Sequence, residues 1–406
     1  MENRNNPASA VNKATQYLGL SIDELTTRGA IHTAREISQQ PELWLKIWEL
    51  VNSRKQSLGS FLEQAYSNKD LDIILTGAGT SAYIGKVLFG PYQRNTARKT
   101  RAIATTDLLS HPGLYFDKET PVLLVSFARS GNSPESVAAV DIANDFAKKT
   151  YHLIITCNES GKLAVQADKK NAYVFLLPKE ADDQSLAMTS SFTSMLLTGF
   201  LISGLNQIEA LGAQVKKLAK YGAHIIGQYA DKIRQVAQLD FQRAVFLGSG
   251  PLQGTAKESY LKLQELTDGQ VICSYESFLG FRHGPKAVIN ASTLMVYLFS
   301  NDEYAHQYET DLVKAVSQGE KGLYSMGIYE SDPDDLGLDL NIVSSDRSGE
   351  KLQEDFLSIG FVLPAQILGF FKSLQLGLKP DSPSAKGAIT RVVTGVNIYK
   401  WQAKQG

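Results

Sequence analysis

A chain of 406 residues, 43% hydrophobic and 20% charged, has the composition of a globular protein with room for two or three cores. A formal net charge of −1 excludes a general nucleic-acid binder, which carries a basic surplus, but leaves room for a small anion held by a few local donors. Only two cysteines, Cys157 and Cys273, occur, which excludes a disulfide framework and fits a reducing compartment.

The first stretch, "MENRNNPASAVNKATQYLGL", has no apolar core of the kind a secretory signal needs, so a cytoplasmic location is expected. Residues 1–54 read as a helical arm. Ile37, Leu43, Trp44, Ile47, Trp48 and Val51 supply an apolar face, and Pro41 suits a helix start. From there strand-like runs alternate with helical ones, which predicts an α/β fold with parallel sheets. The first set is "LDIILTGAGTS", "TPVLLVSFARSGNS", "YHLIITCNESG" and "AYVFLLP"; the second is "RAVFLGSGPLQG", "STLMVYLFSNDE", "GLYSMGIYESD" and "LDLNIVSSD".

The two sets superpose at an offset of 171: Gly77 and Gly79 on Gly248 and Gly250, Leu123–Val125 on Leu294–Val296, and Asn158–Ser160 on Tyr329–Ser331. A duplication follows, with a first domain over 55–215, a second over 216–395 and a tail over 396–406. The apolar run Phe356–Phe371, broken by Pro364, is shorter than the roughly 20 residues a membrane span requires and is expected as a buried helix at a subunit interface.

Strand, Gly/Ser loop and helix start is the order that exposes free backbone N–H groups and partial positive charge to an anion. In "SFARSGNSPES", Ser133 suits the N-cap and Pro134 the first helical position. Arg129, Ser130 and Ser133 would then suit a phosphate dianion, although a simple capped turn has the same residues. The partner loop "TGAGTSAYIG" adds Thr80 and Ser81 at a second helix start, and ligands in parallel sheets sit where such strand ends meet. Neither "GAGTSAYIG" nor "GSGPLQG" has dinucleotide spacing, and the second half places Asp302 and Glu303 where the first has Gly131 and Asn132. One phosphate site, in the first half, is the expectation.

Glu258, Lys262 and Glu265 lie four and three apart on one helix face, either as a solvated charge stripe or as a sheltered acid–base group. His283, before Gly284-Pro285, falls on a turn where it could pass a proton or be incidental. Six scattered histidines and no cysteine cluster give no metal site.

Taken together, "GAGTS" and the loop Ala128–Ser133 resemble the sugar-phosphate loops of the sugar isomerase (SIS) domain, present twice over most of the chain after the arm. The second copy's "LKLQE" and "RHGP" resemble the isomerase half of glucosamine-6-phosphate synthase. "HTAREISQQP", "SLAMTSSFT" and "ESFLGFRHGP" look like the bacterial galactosamine-6-phosphate deaminase/isomerase family, also called tagatose-6-phosphate ketose/aldose isomerase. The resemblance implies two flavodoxin-like three-layer sandwiches. It also implies that Thr80, Ser81, Ser130 and Ser133 hold a 6-phosphate, with Arg129 where the synthase has Gln and Ala128 where it has Ser.

By the same resemblance Glu265 shuttles a proton between C1 and C2, and Lys262 lines the site. His283 opens the sugar ring, in the synthase from the neighbouring subunit. "SAKGAITRV" makes Lys386 the match to an active-site lysine, with Ala385 beside it. The implied partner is a phosphorylated amino sugar, with no cofactor, no nucleic acid, no membrane, and a homodimer or larger assembly with shared sites. A phosphosugar isomerase without deamination and a non-catalytic sugar-phosphate sensor are the alternatives.

Overall fold

The computed structural model describes residues 15–331, 333–345, 351–393 and 395–401; the expected arm before residue 15 and the tail beyond 401 lie outside the described residues. The first sheet holds β1 (Asp72–Thr76), β2 (Thr100–Ala102), β3 (Val122–Ala128), β4 (Thr150–Thr156) and β5 (Ala172–Leu176), in the order β2-β1-β3-β4-β5. The second holds β6 (Arg243–Gly248), β7 (Ile272–Glu276), β8 (Thr293–Leu298), β9 (Tyr324–Tyr329) and β10 (Leu340–Val343), in the order β7-β6-β8-β9-β10. Every pairing in both sheets is parallel, and the two orders are the same. β3 and β4 are buried along their whole length, because helices cover both faces, and so read as continuous apolar runs.

The duplication extends to backbone angles. Gly79 precedes the first helix at φ 57°, ψ −129°, and Gly250 precedes its counterpart at φ 52°, ψ −127°. The chain folds back so tightly that a Cβ on Gly77 would lie 2.6 Å from Ser81, and one on Gly248 2.4 Å from the Leu252 carbonyl. The 171 offset holds for β1 and β3 but not for β4. Met326 stands opposite Val296 as Leu153 stands opposite Val125, an offset of 173, so pairing Asn158–Ser160 with Tyr329–Ser331 is two residues out of register.

The helices that matter to the site are α1 (Gln40–Ser53), α2 (Thr80–Thr96), α3 (Pro134–Phe146), α4 (Ser190–Ser203), α5 (Ile208–Ala237), α6 (Pro251–Leu266) and α7 (Leu363–Gln375). The arm's tryptophans dock on α5. The ring of Trp44 reaches Gly222 and that of Trp48 reaches Gly212, where an added methyl would meet the indoles at 2.6 and 2.5 Å. The Trp48 indole N–H donates to the Ile208 carbonyl at 2.8 Å. α5 runs unbroken for 30 residues, so the expected domain boundary at 215/216 falls inside one helix.

The apolar run 356–371 is covered by this chain's own α5 and α6 and not by a second copy. Glu354–Gln375 is long and apolar enough to cross a membrane, with mean hydropathy 1.5, yet is 100% buried in the fold. Core packing accounts for its composition, so it is no argument for a subunit interface.

Helices α2 and α6, the equivalent helices of the two copies, pack on each other in opposite directions. Thr80 lies by Glu258 and Lys262, Tyr83 by Tyr260, and Val87 against Gly254. Gly254 permits the crossing, since a Cβ there would lie 2.6 Å from the Val87 backbone nitrogen. This contact sets the start of the first copy's helix beside the middle of the second copy's.

Candidate active site

The face of α6 that carries Glu258, Lys262 and Glu265 is turned inward. The side chains of Glu258 and Lys262 are 0% exposed, whereas that of Glu265 is 23% exposed. The Lys262 ammonium donates to Glu265 Oε2 at 2.6 Å and to Thr80 Oγ1 at 3.1 Å, and lies 3.3 Å from Glu258 Oε1. Thr80 in turn donates its hydroxyl proton to Glu258 Oε1 at 3.2 Å. The residues expected as a possible surface stripe thus form a closed network with the start of α2.

One cation is shared by two carboxylates in a dry environment. Burial pushes the Glu258 carboxyl up to about 8; the Lys262 charge opposes this, while the Glu265 charge adds to it. Burial alone would lower the Lys262 ammonium, but Glu258 and Glu265 on either side more than reverse the effect and raise it. The consistent state at neutral pH is an ion pair between Lys262 and Glu265, with Glu258 holding its proton. Glu258 Oε2, buried without a partner, is the oxygen free to carry that proton.

The loop over residues 129–133, expected to hold a phosphate, stands at the carboxyl end of β3 and is braced by the next strand's loop. Asn158 donates to the Ser130 carbonyl at 2.9 Å, the Leu163 N–H to the Gly131 carbonyl at 3.1 Å, and the Lys162 N–H to Asn132 Oδ1 at 3.1 Å. Ser130 Oγ accepts from the Asn132 N–H, and the buried Ser81 hydroxyl bonds no described residue. Ser133 occupies the N-cap position of α3, but its hydroxyl donates to Glu135 Oε2 at 2.7 Å and accepts no helix N–H. Thr80, expected on the phosphate, is engaged with Glu258 and Lys262. In the second copy Asp302 caps the helix Glu303–Ser317 through the Ala305 N–H, the role that its charge suits.

Arg129 departs furthest from expectation. The residue is 6% exposed, and its guanidinium donates to three backbone carbonyls, those of Ser185, Leu186 and Arg391. It therefore serves the loop around residue 185 and the C-terminal segment, and its donors are turned to main chain. His283, Ala385 and Lys386 are exposed, and the His283 and Lys386 side chains bond none of the described residues. The fold gathers Thr80, Lys262 and Glu265 at one place; it does not join His283 to them within one chain.

Missed from the sequence was the buried polar hub at 182–191. Asp183 caps α4 by accepting the N–H groups of Thr189, Ser190 and Ser191. Glu36 of the arm accepts the N–H groups of Gln184 and Ser185 and the Ser185 hydroxyl. Burial, with the Asp183 charge, raises Glu36 to about 8. The hydroxyl run "TSS" before an apolar helix was the available signal. Among the described residues no group of three His, Cys, Asp or Glu side chains is arranged to hold a metal.

Comparison with known proteins matches the SIS domain over residues 66–202. D-galactosamine-6-phosphate deaminase AgaS of Shewanella sp. (strain ANA-3) is 42% identical over 397 residues, covering 97% of this chain and 98% of that protein. The Escherichia coli protein of the same name is 38% identical, over 91% of this chain and 96% of its own length. The crystal structure of tagatose-6-phosphate ketose/aldose isomerase from Escherichia coli superposes with a TM-score of 0.83 at 36% identity, covering 92% and 97% of the two chains.

Proposed function

This chain belongs to the D-galactosamine-6-phosphate deaminase AgaS family of SIS-domain proteins, and on that premise we propose that it converts galactosamine 6-phosphate to tagatose 6-phosphate and ammonium. The observation that carries the residue assignment is an asymmetry: of two carboxylates sharing Lys262, only Glu265 is open to solvent. A base must reach the substrate, so Glu265 takes the C2 proton and Glu258 does not.

His283 assists opening of the pyranose ring. Glu265 removes the proton from C2, and the C–H pair forms the C1–C2 double bond of an enolamine while the C1 carbonyl pair moves onto O1, which takes a proton from water. The proton on Glu265 then returns to C1 as the nitrogen lone pair forms the C2 imine. The C2 imine left behind is hydrolysed by water, which breaks the C–N bond and releases ammonium. Lys262 holds the Glu265 carboxylate through the 2.6 Å ion pair and, through Thr80, ties it to the helix that opens the phosphate site. Ser81, Ser130 and Ser133 seat the 6-phosphate. Because the phosphate does not react, its binding energy is available to align C1 and C2 with the base.

Lys386 and Ala385 close the site from the C-terminal segment. An exposed His283 without a partner among the described residues fits contribution to a neighbouring subunit's site, so a homodimer or larger assembly in the cytoplasm belongs to this proposal. The test is ammonium release from galactosamine 6-phosphate and glucosamine 6-phosphate, with the ketose identified. Tagatose 6-phosphate with stoichiometric ammonium is expected; ketose or aldose interconversion without ammonium would replace the deaminase by a plain isomerase.

A further inference from the structure

Arg129 lies between Ala128, which ends β3, and Ser130 of the phosphate loop, yet its guanidinium turns to main chain far off in sequence. One terminal nitrogen donates to the Ser185 and Leu186 carbonyls, each at 3.2 Å, and the other to the Arg391 carbonyl at 2.6 Å. Arg391 reaches back across the same gap. Its side chain donates to the Asp183 carbonyl at 3.0 and 2.6 Å and to the Asp182 carboxylate at 2.8 Å. The other end of this C-terminal segment is tied to the same loop: the Leu186 N–H donates to the Asp381 carbonyl at 3.0 Å. The Asp381 carboxylate accepts the Thr33 N–H and hydroxyl of the arm, both at 2.8 Å.

Between these two anchors, Ala385 and Lys386 are exposed on a short turn, held by Gly387 N–H to the Ser384 carbonyl and Ile389 N–H to the Ser384 hydroxyl. We infer that Arg129 is a positioning residue: it latches the C-terminal segment to the phosphate loop and so sets where Lys386 stands relative to a bound sugar phosphate. The role of Lys386 rests on the function proposed above; the latch itself does not. A planar guanidinium can donate in several directions within one plane, which a lysine ammonium at the same site cannot reproduce. The arm belongs to the same device, since Glu36 holds the loop at Gln184 and Thr33 holds Asp381 of the C-terminal segment, the two pieces that Arg129 joins.

The experiment compares Arg129→Lys, Arg391→Ala and their combination with the parent protein. Hydrogen exchange of residues 384–391 reads the latch directly and needs no turnover. Both single variants are expected to raise exchange there by tenfold or more, on the order of one lost hydrogen bond's protection, with α4 unchanged. In steady-state kinetics each should lower kcat by about 10- to 100-fold, as a misplaced group does, with KM nearly unchanged. The double variant should be little worse than either single one, because both release one segment.

A large rise in KM with kcat intact for Arg129→Lys, and none for Arg391→Ala, would overturn the inference and make Arg129 a phosphate ligand. Unchanged exchange at 384–391 would overturn the latch. If the parent protein releases no ammonium while exchange still rises, the proposed reaction fails and the latch stands.

Discussion

Replacing Glu258 by Gln tests the charge state of the buried cluster. In the fold its carboxyl sits at about 8 against an ordinary value of 4.5, so the native state binds this proton more tightly than the unfolded chain does. The sign follows: the contribution to stability is fully present below about pH 4.5 and is lost as the pH rises through about 8. At about 1.4 kcal/mol per unit, the group withdraws roughly 3 to 4 kcal/mol between about pH 5 and pH 9.

Gln copies the protonated acid in shape and charge, keeps an acceptor for Thr80 and Lys262, and does not titrate. Its stability curve should therefore be flatter than the parent's by that amount. Glu36, also raised to about 8, titrates in both proteins and cancels in the difference. The assay is urea unfolding followed by tryptophan fluorescence at several pH values between these limits. Curves that run parallel within about 0.5 kcal/mol, the size of an ordinary surface change, would refute a protonated Glu258 and return the second negative charge to the cluster.

Glu265→Gln should lower ammonium release by about 10²- to 10⁴-fold, the usual contribution of a general base, while titration calorimetry still detects sugar-phosphate binding; turnover within tenfold of the parent would place the base elsewhere. Lys262→Met removes the cation paired with the Glu265 carboxylate and a donor to Thr80, and should cost about 3 to 5 kcal/mol, read as a lower urea midpoint; an unchanged midpoint contradicts the ion-pair geometry. Gly254→Val forces a side chain onto the Val87 backbone and should destabilise by about 1 to 3 kcal/mol, and it should also impair ammonium release by separating Thr80 from Lys262. Gly227→Ala on α5, where an added Cβ meets nothing within 4 Å outside its own turn, is the control and should be neutral or stabilising by up to about 1 kcal/mol.

The chain order of strands, the doubled Gly-rich turns and the helix that carries Glu258, Lys262 and Glu265 were all legible in the sequence, because each rests on local chemistry. Gly77 and Gly248 are required by backbone contacts only four residues away, and a period of three to four residues places three charges on one face. The sequence by itself therefore determined the α/β duplication. It could not say whether the charged face of α6 meets water or protein, since Thr80 of α2, which bonds it, lies about 180 positions earlier.

Nor could it tell that Thr80 would bond Lys262, that Arg129 would turn to the carbonyls at 185, 186 and 391, or that Phe356–Phe371 would be covered within its own chain. A side chain's partners are set by which groups the packed fold leaves unsatisfied nearby. Only the tertiary structure decides that, because burying a polar group has a cost that must be met by whichever donor or acceptor the fold brings within reach.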